Sequence, residues 1–179
     1  MESLFELTYE ILNIKNLETA FAIQKSIWPT DPDYDDLYDK ATNTKEDNCF
    51  FLVYDKNNII GITGVYVEDN YPDSIWLDWF AVLPGQRKNG YGEKILKDTI
   101  NYCKKLKRFK SFRIDTTYYE NRPALFLYDK VMNLKEEYTI EDTDEKKNNY
   151  LIYTYSLNGE ADPWNNRYLG LRKYYDDCK

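Results

Sequence analysis

One stretch constrains this chain more than any other: Val82-Leu83-Pro84-Gly85-Gln86-Arg87-Lys88-Asn89-Gly90-Tyr91-Gly92. The run before it, Ile75 to Val82, is aromatic and β-branched, the composition of a buried strand, and Pro84 ends it. After it, from Glu93 to Leu106, Ile95, Leu96, Thr99, Ile100, Cys103 and Leu106 share one helical face, with Lys94, Lys97, Asp98, Asn101, Lys104 and Lys105 opposite. Gly90 and Gly92 lack a Cβ where strand gives way to helix, so the backbone can approach a ligand closely. The first turn of a helix carries unpaired N–H groups and the positive end of its dipole, and Arg87 and Lys88 add charge beside it. The stretch therefore reads as a phosphate-binding turn suited to a pyrophosphate. Two other phosphate loops do not fit. The dinucleotide fingerprint needs a third glycine where Ile95 stands, and the Gly-Lys-Ser/Thr ending of a Walker loop is absent.

Composition narrows the chemistry further. The chain has 179 residues, a length that points to one domain with a sizeable core. Lys and Arg number 24 against 31 Asp and Glu, a net charge of −7, and nucleic acid is not an expected partner. Histidine is absent, which removes the commonest general base and metal ligand and any Ser-His or Cys-His pair. Carboxylates, Tyr, water and backbone groups must do the work, and no metal is expected. Cys49, Cys103 and Cys178 form no CxxC pair, and the opening residues lack the pattern of a signal peptide, so reduced thiols and a cytoplasmic location are expected. No run approaches a membrane span.

Taken in order, Leu4 to Ile11 reads as a strand, and Asn16 can cap a helix over Leu17 to Ile27. Thr30 to Asn48 is acidic and turn-rich, with a short helix around Asp35 to Thr42 and no core pattern; a solvated loop and a lid that attracts a cation both fit it. Cys49 to Tyr54 and Ile59 to Val67 form a hairpin, with Gly61 and Gly64 as bulge candidates, and the Ile75 strand completes a meander. After the long helix, Ser111 to Thr117 is a strand set to pair in parallel with Ile75 to Val82. A helix opens at Asn121-Arg122-Pro123, with Ala124, Leu127, Tyr128 and Val131 as its apolar stripe. Leu134 to Ile140 and Tyr150 to Leu157 follow as strands, and a tail at 158–179 is expected to be partly helical and packed on the same domain as 1–157.

The spacing Val82, Pro84, Arg87, Gly90, Gly92 resembles motif A of the GNAT superfamily of acyl-CoA N-acyltransferases, V-x-P-x-x-R-x-x-G-x-G/A, and the element order resembles that family along residues 1–157. The fold class is then α+β, a mixed, mostly antiparallel sheet of about six or seven strands flanked by about four helices, plus the C-terminal extension. The resemblance implies that the strands matching Ile75–Val82 and Ser111–Thr117 splay and admit acetyl-CoA as acyl donor. It gives Phe80, Ala81 and Val82 to the pantetheine arm and Arg87, Lys88, Asn89, Gly90, Tyr91 and Gly92 to the pyrophosphate. It also places Asn121 on the cofactor and Tyr128 near the sulfur. Val131-Met132-Asn133-Leu134 departs from the family's Leu-Gly-Phe ending by one residue.

Acyl transfer to an amine needs a base for the amine and a proton for the leaving thiolate. A phenol of pKa about 10 suits a thiolate of about 8.5, so Tyr128 is either the acid or a core tyrosine. Asp78 has the strand parity of Phe80 and Val82 and shares their face on that reading. It is either the base, its pKa raised by Trp76 and Trp79, or a strand carboxylate bonded to a nearby Tyr, Trp or Arg; Glu68 or a water chain could replace it. The resemblance implies a primary amine as acceptor, expected to be small, and the acid-rich segments Asp31–Asp39 and Glu141–Glu145, which the family's fold would set on the acceptor side, favour a cationic one, with aminoglycosides, polyamines, amino acids and peptide N-termini all open. The rival is a non-catalytic acyl-CoA binder or sensor. A toxin that acetylates charged tRNA is disfavoured by the acidity, and a homodimer is left open.

Overall fold

The computed structural model describes residues 6–117, 122–141 and 147–165. Its elements run β1 (Leu7–Ile11), α1 (Leu17–Ile27), α2 (Tyr34–Thr42), β2 (Cys49–Asp55), β3 (Asn58–Tyr66), β4 (Ser74–Val82), a 3₁₀ turn (Pro84–Gln86), α3 (Tyr91–Leu106), β5 (Ser111–Thr117), α4 (Arg122–Val131), β6 (Leu134–Glu141) and β7 (Lys147–Ser156). Seven strands form one sheet in the order β1-β2-β3-β4-β5-β7-β6. All neighbours are antiparallel except β4 and β5. The mixed α+β sheet read from the sequence is the one observed.

Each sheet face has its own helical layer, because each helix has one apolar stripe to cover. On one face α3 and α4 bury Leu96, Ile100, Cys103, Leu125 and Tyr128 against Val65, Ile75, Leu77, Phe112 and Ile114. On the other, α1 and α2 bury Leu17, Ala20 and Leu37 against Phe50, Leu52, Ile62 and Ala81. The stretch Thr30–Asn48 is therefore more than a solvated loop. Asp33 caps α2 by accepting from the Asp36 amide at 2.9 Å, Asp35 and Asp36 suit the helix dipole, and Leu37 is fully buried. Gln24 ties α1 to this start by accepting from the Asp33 amide at 2.8 Å.

β4 and β5 pair only over Ser74–Trp76 and Ser111–Arg113, after which β5 runs on with β7 and the two part. Arg113, fully buried at the base of that gap, donates to Ser74 Oγ at 2.9 Å, Thr154 Oγ1 at 2.7 Å and the Asp162 carbonyl at 2.9 Å. Its guanidinium lies 5.0 Å from the ring of Trp164, which meets Trp76 edge-on at 5.1 Å. Residues 158–165 thus lie against the sheet without forming a helix; a helix later in the tail would fall outside the described residues.

β4 also carries a bulge. Ile62 pairs with Ala81 and Gly64 with Asp78, so one residue of β3 opposes two of β4, and Trp79 takes φ +40°. A Cβ on Gly61 would stand 2.4 Å from the Ala81 carbonyl oxygen, so glycine there permits the close approach. The irregularity expected at the β3 glycines is present beside Gly61, where Val53 pairs with Gly61 and Tyr54 with Ile59 so that Ile60 is extra on β3, while the second bulge, next to Gly64, puts its extra residue on β4. That inverts the parity of everything before it.

Candidate active site

The bulge decides where Asp78 points. Phe80 and Val82 pack toward α3 and α4, whereas Asp78 faces α2, so the shared face expected from simple alternation is corrected. There Lys40 Nζ donates to Asp78 Oδ2 at 2.5 Å and to both Asp36 oxygens at 2.7 Å, and Trp79 Nε1 donates to Asp36 Oδ2 at 2.9 Å. Burial lifts the Asp78 carboxyl, the Lys40 ammonium pulls it back, Asp36 and Asp115 lift it further, and it ends at about 6. Burial disfavours the Lys40 ammonium as well, but Asp78 and Asp36 outweigh this and hold it above the usual lysine range. The pair is asymmetric: the ammonium keeps its proton, while the carboxylate can take one near neutrality. Asp78 Oδ1 has no hydrogen-bond partner among the described residues.

A cavity of about 880 Å³ opens here, walled by Asp36, Lys40, Glu68, Asp78, Phe80, Asp115 and Tyr128 among others. Tyr128, 6% exposed, reaches it from α4, with ring centroids 6.3 Å from Phe80 and 5.4 Å from Tyr153. Its hydroxyl makes no hydrogen bond among the described residues. Burial, with Asp115 and Tyr153 nearby, raises its pKa, so it stays a phenol through neutral pH. Glu68 is also raised, by burial and by Asp115 and Asp69.

The Val82–Gly92 turn lies outside the cavity walls and joins them through Phe80. Its geometry comes from backbone. Gly90 has φ +82° and Lys88 φ +67°, and Arg87 Nε braces the turn on the Val82 carbonyl at 3.1 Å. The amides of Lys88, Asn89, Gly90, Gly92 and Glu93 make no backbone hydrogen bond among the described residues. Arg87, Lys88, Asn89 and Gly90 are exposed, and a Cβ on Gly92 would reach the Leu127 side chain at 3.4 Å. The Tyr91 ring is core: it packs on Val53, Ile60 and Ile95, and its hydroxyl donates to Asp55 at 2.6 Å. Asn121 lies outside the described residues. Open amides, a left-handed glycine and exposed positive side chains beside the β4–β5 gap fit a pyrophosphate-bearing cosubstrate.

Two groups at the site escaped the sequence reading. Lys40, which the reading of Thr30–Asn48 did not single out, shares a face of α2 with Leu37 and Ala41, a pattern that marks it as inward. Asp115, on an otherwise buried strand where β5 leaves β4, carried a similar mark.

The architecture is that of an acyl-CoA N-acyltransferase: a mixed sheet whose central parallel strands part beside a backbone-lined anion turn. The model of the Acetyltransferase (GNAT) family matches residues 10–133, and the chain belongs to that family. Among curated proteins none matches. Similar solved structures include Arabidopsis thaliana NAA60 in complex with a bisubstrate analogue, at 16% identity and TM-score 0.66 over 87% of this chain and 100% of that one. The spermidine/spermine N-acetyltransferase SpeG of Vibrio cholerae aligns at 16% identity and TM-score 0.65, over 85% and 95%. The ribosomal-protein-S18-alanine N-acetyltransferase of Escherichia coli aligns at 17% and 0.62, over 87% and 96%. At these identities the likeness is one of fold.

Proposed function

We propose that the protein transfers the acetyl group of acetyl-CoA to a primary amine by direct attack within a ternary complex. The observation that carries this reading is the convergence of Asp78 and Tyr128, from opposite faces of the sheet, on one cavity at the β4–β5 gap. Bound acetyl-CoA supplies the acetyl group as a thioester, and a carbon–nitrogen bond replaces its carbon–sulfur bond. The amides from Lys88 to Glu93 hold the pyrophosphate, and backbone at Phe80–Val82 orients the pantetheine.

Asp78 accepts the proton the amine must lose, through the carboxylate oxygen that Lys40 leaves open. Lys40 is a positioning residue that fixes the carboxylate and keeps its pKa from climbing further. The Tyr128 phenol holds a proton at its hydroxyl for the departing thiolate. Asp78→Asn and Tyr128→Phe test this assignment. Turnover should fall while acetyl-CoA binding, measured by calorimetry, stays within about twofold, because neither side chain is on the anion turn. Unchanged turnover in both would refute these roles, and binding without turnover in the wild type would favour the acyl-CoA binder.

A further inference from the structure

The cavity wall says more about the acceptor than that it is an amine. Among the described residues eight carboxylates and three cationic side chains line it. Two of the three cations are already spent: Lys40 on Asp36 and Asp78, and Arg108 on Asp47 at 2.6 Å. Among the described lining residues that leaves Lys45 against Asp31, Asp33, Glu68 and Asp69, with Asp115 adding its charge to the same wall. These carboxylates come from the α1–α2 connection, the β3–β4 turn and β5, so three separate parts of the chain bring like charge to one space. The upward push of Asp115 and Asp69 on Glu68 reports the same repulsion. Trp28 and Trp79, edge-on at 5.2 Å, add aromatic wall suited to methylene groups and ammonium ions. Independently of charge, Tyr128, only 6% exposed, turns its hydroxyl to this cavity without a hydrogen-bond partner among the described residues, which marks the space as built for a ligand.

Resting on the acetyltransfer reading above, we infer that the acceptor is a small polycationic amine, with one nitrogen at Asp78 and Tyr128 and a second ammonium held by Glu68 and Asp69. A linear polyamine and an aminoglycoside share this chemistry. The Coulomb field of the wall gathers either, and a polar but singly charged amine gains little from it.

The test compares spermidine, tobramycin and a monoamine of spermidine's length with ether oxygens in place of its other nitrogens. Binding is read by calorimetry and acetyl transfer by thiol release from acetyl-CoA. One of the polycations should bind at least about tenfold tighter than the ether monoamine, and about 0.5 M salt should erase most of the difference. Spermidine or tobramycin as the better ligand separates the two sources. In Glu68→Gln/Asp69→Asn the polycation's KM should rise about tenfold with kcat held. A monoamine or a neutral peptide N-terminus bound as well as the polycations would overturn the inference, as would an unmoved KM or a fall in kcat in the double variant. Selective, salt-sensitive polycation binding without thiol release would leave the cation site standing and refute acetyl transfer; thiol release with no preference for polycations would do the reverse.

Discussion

The two ends of the β4–β5 gap are built from different materials. At the Val82–Gly92 turn the working groups are main-chain amides. The Tyr91 side chain is committed to the core, and Arg87 and Asn89 brace the turn by donating to the carbonyls of Val82 and Gln86. In the cavity the groups are side chains delivered by α2, β4, β5 and α4, and Lys40 and Asp78, far apart in the chain, orient one another. The first is fixed by local conformation. The second depends on several elements packing correctly, and a change of one functional group alters its charge balance.

That contrast can be broken from either end. The largest effect is expected on the side-chain end: Asp78→Asn should lower kcat by about a hundredfold or more, with the fold kept because Asp36 still holds Lys40. Steady-state rates with circular dichroism as a folding control check this. Tyr128→Phe follows, with a loss of about ten- to a hundredfold in kcat and an unchanged KM for acetyl-CoA.

Lys40→Met sharpens the comparison through pH. On the proposed role of Asp78 as base, which works only when deprotonated, wild-type kcat/KM should fall as pH drops through about 6. The ammonium is what holds the buried carboxyl down, so without Lys40 this limb should move to higher pH, by about one unit or more. A pH profile of both proteins decides it, and a limb that stays in place would remove Lys40 from the account. The smallest effect is expected at the backbone end. Gly90→Ala meets no atom within 4 Å and φ +82° is its main cost, about 1–2 kcal/mol, read as a lower Tm and a several-fold higher KM for acetyl-CoA. Asn89→Ala should change neither kcat nor that KM by more than about twofold.

The same division governs what could be read before folding. The anion turn was legible because its information is local: a strand, a stop, two glycines and an amphipathic helix in sequence. The β2–β3–β4 meander and the parallel β4–β5 pairing followed from turn residues and one crossover, whereas the seats of β1 beside β2 and of β7 between β5 and β6 depend on long-range pairing that local signals do not carry. The face of Asp78 was not legible, since period-two counting holds only while the strand is regular and the bulge at Trp79 breaks it. Lys40 was hidden for another reason. The acidic stretch Thr30–Asn48 reads as solvated until Leu37 turns that side of α2 inward, and burial then makes Lys40 the partner of the cavity carboxylate. Tyr128 was visible as a stripe residue, but no periodicity could show that its hydroxyl opens on a cavity.

The account's central claim is that both ends of the gap serve one reaction with both substrates bound. Initial rates of thiol release, measured while acetyl-CoA and a polyamine are varied together, test it most directly. Double-reciprocal lines that intersect are predicted, as direct attack in a ternary complex requires. Parallel lines would contradict the account by showing that the acetyl group leaves coenzyme A before the amine arrives.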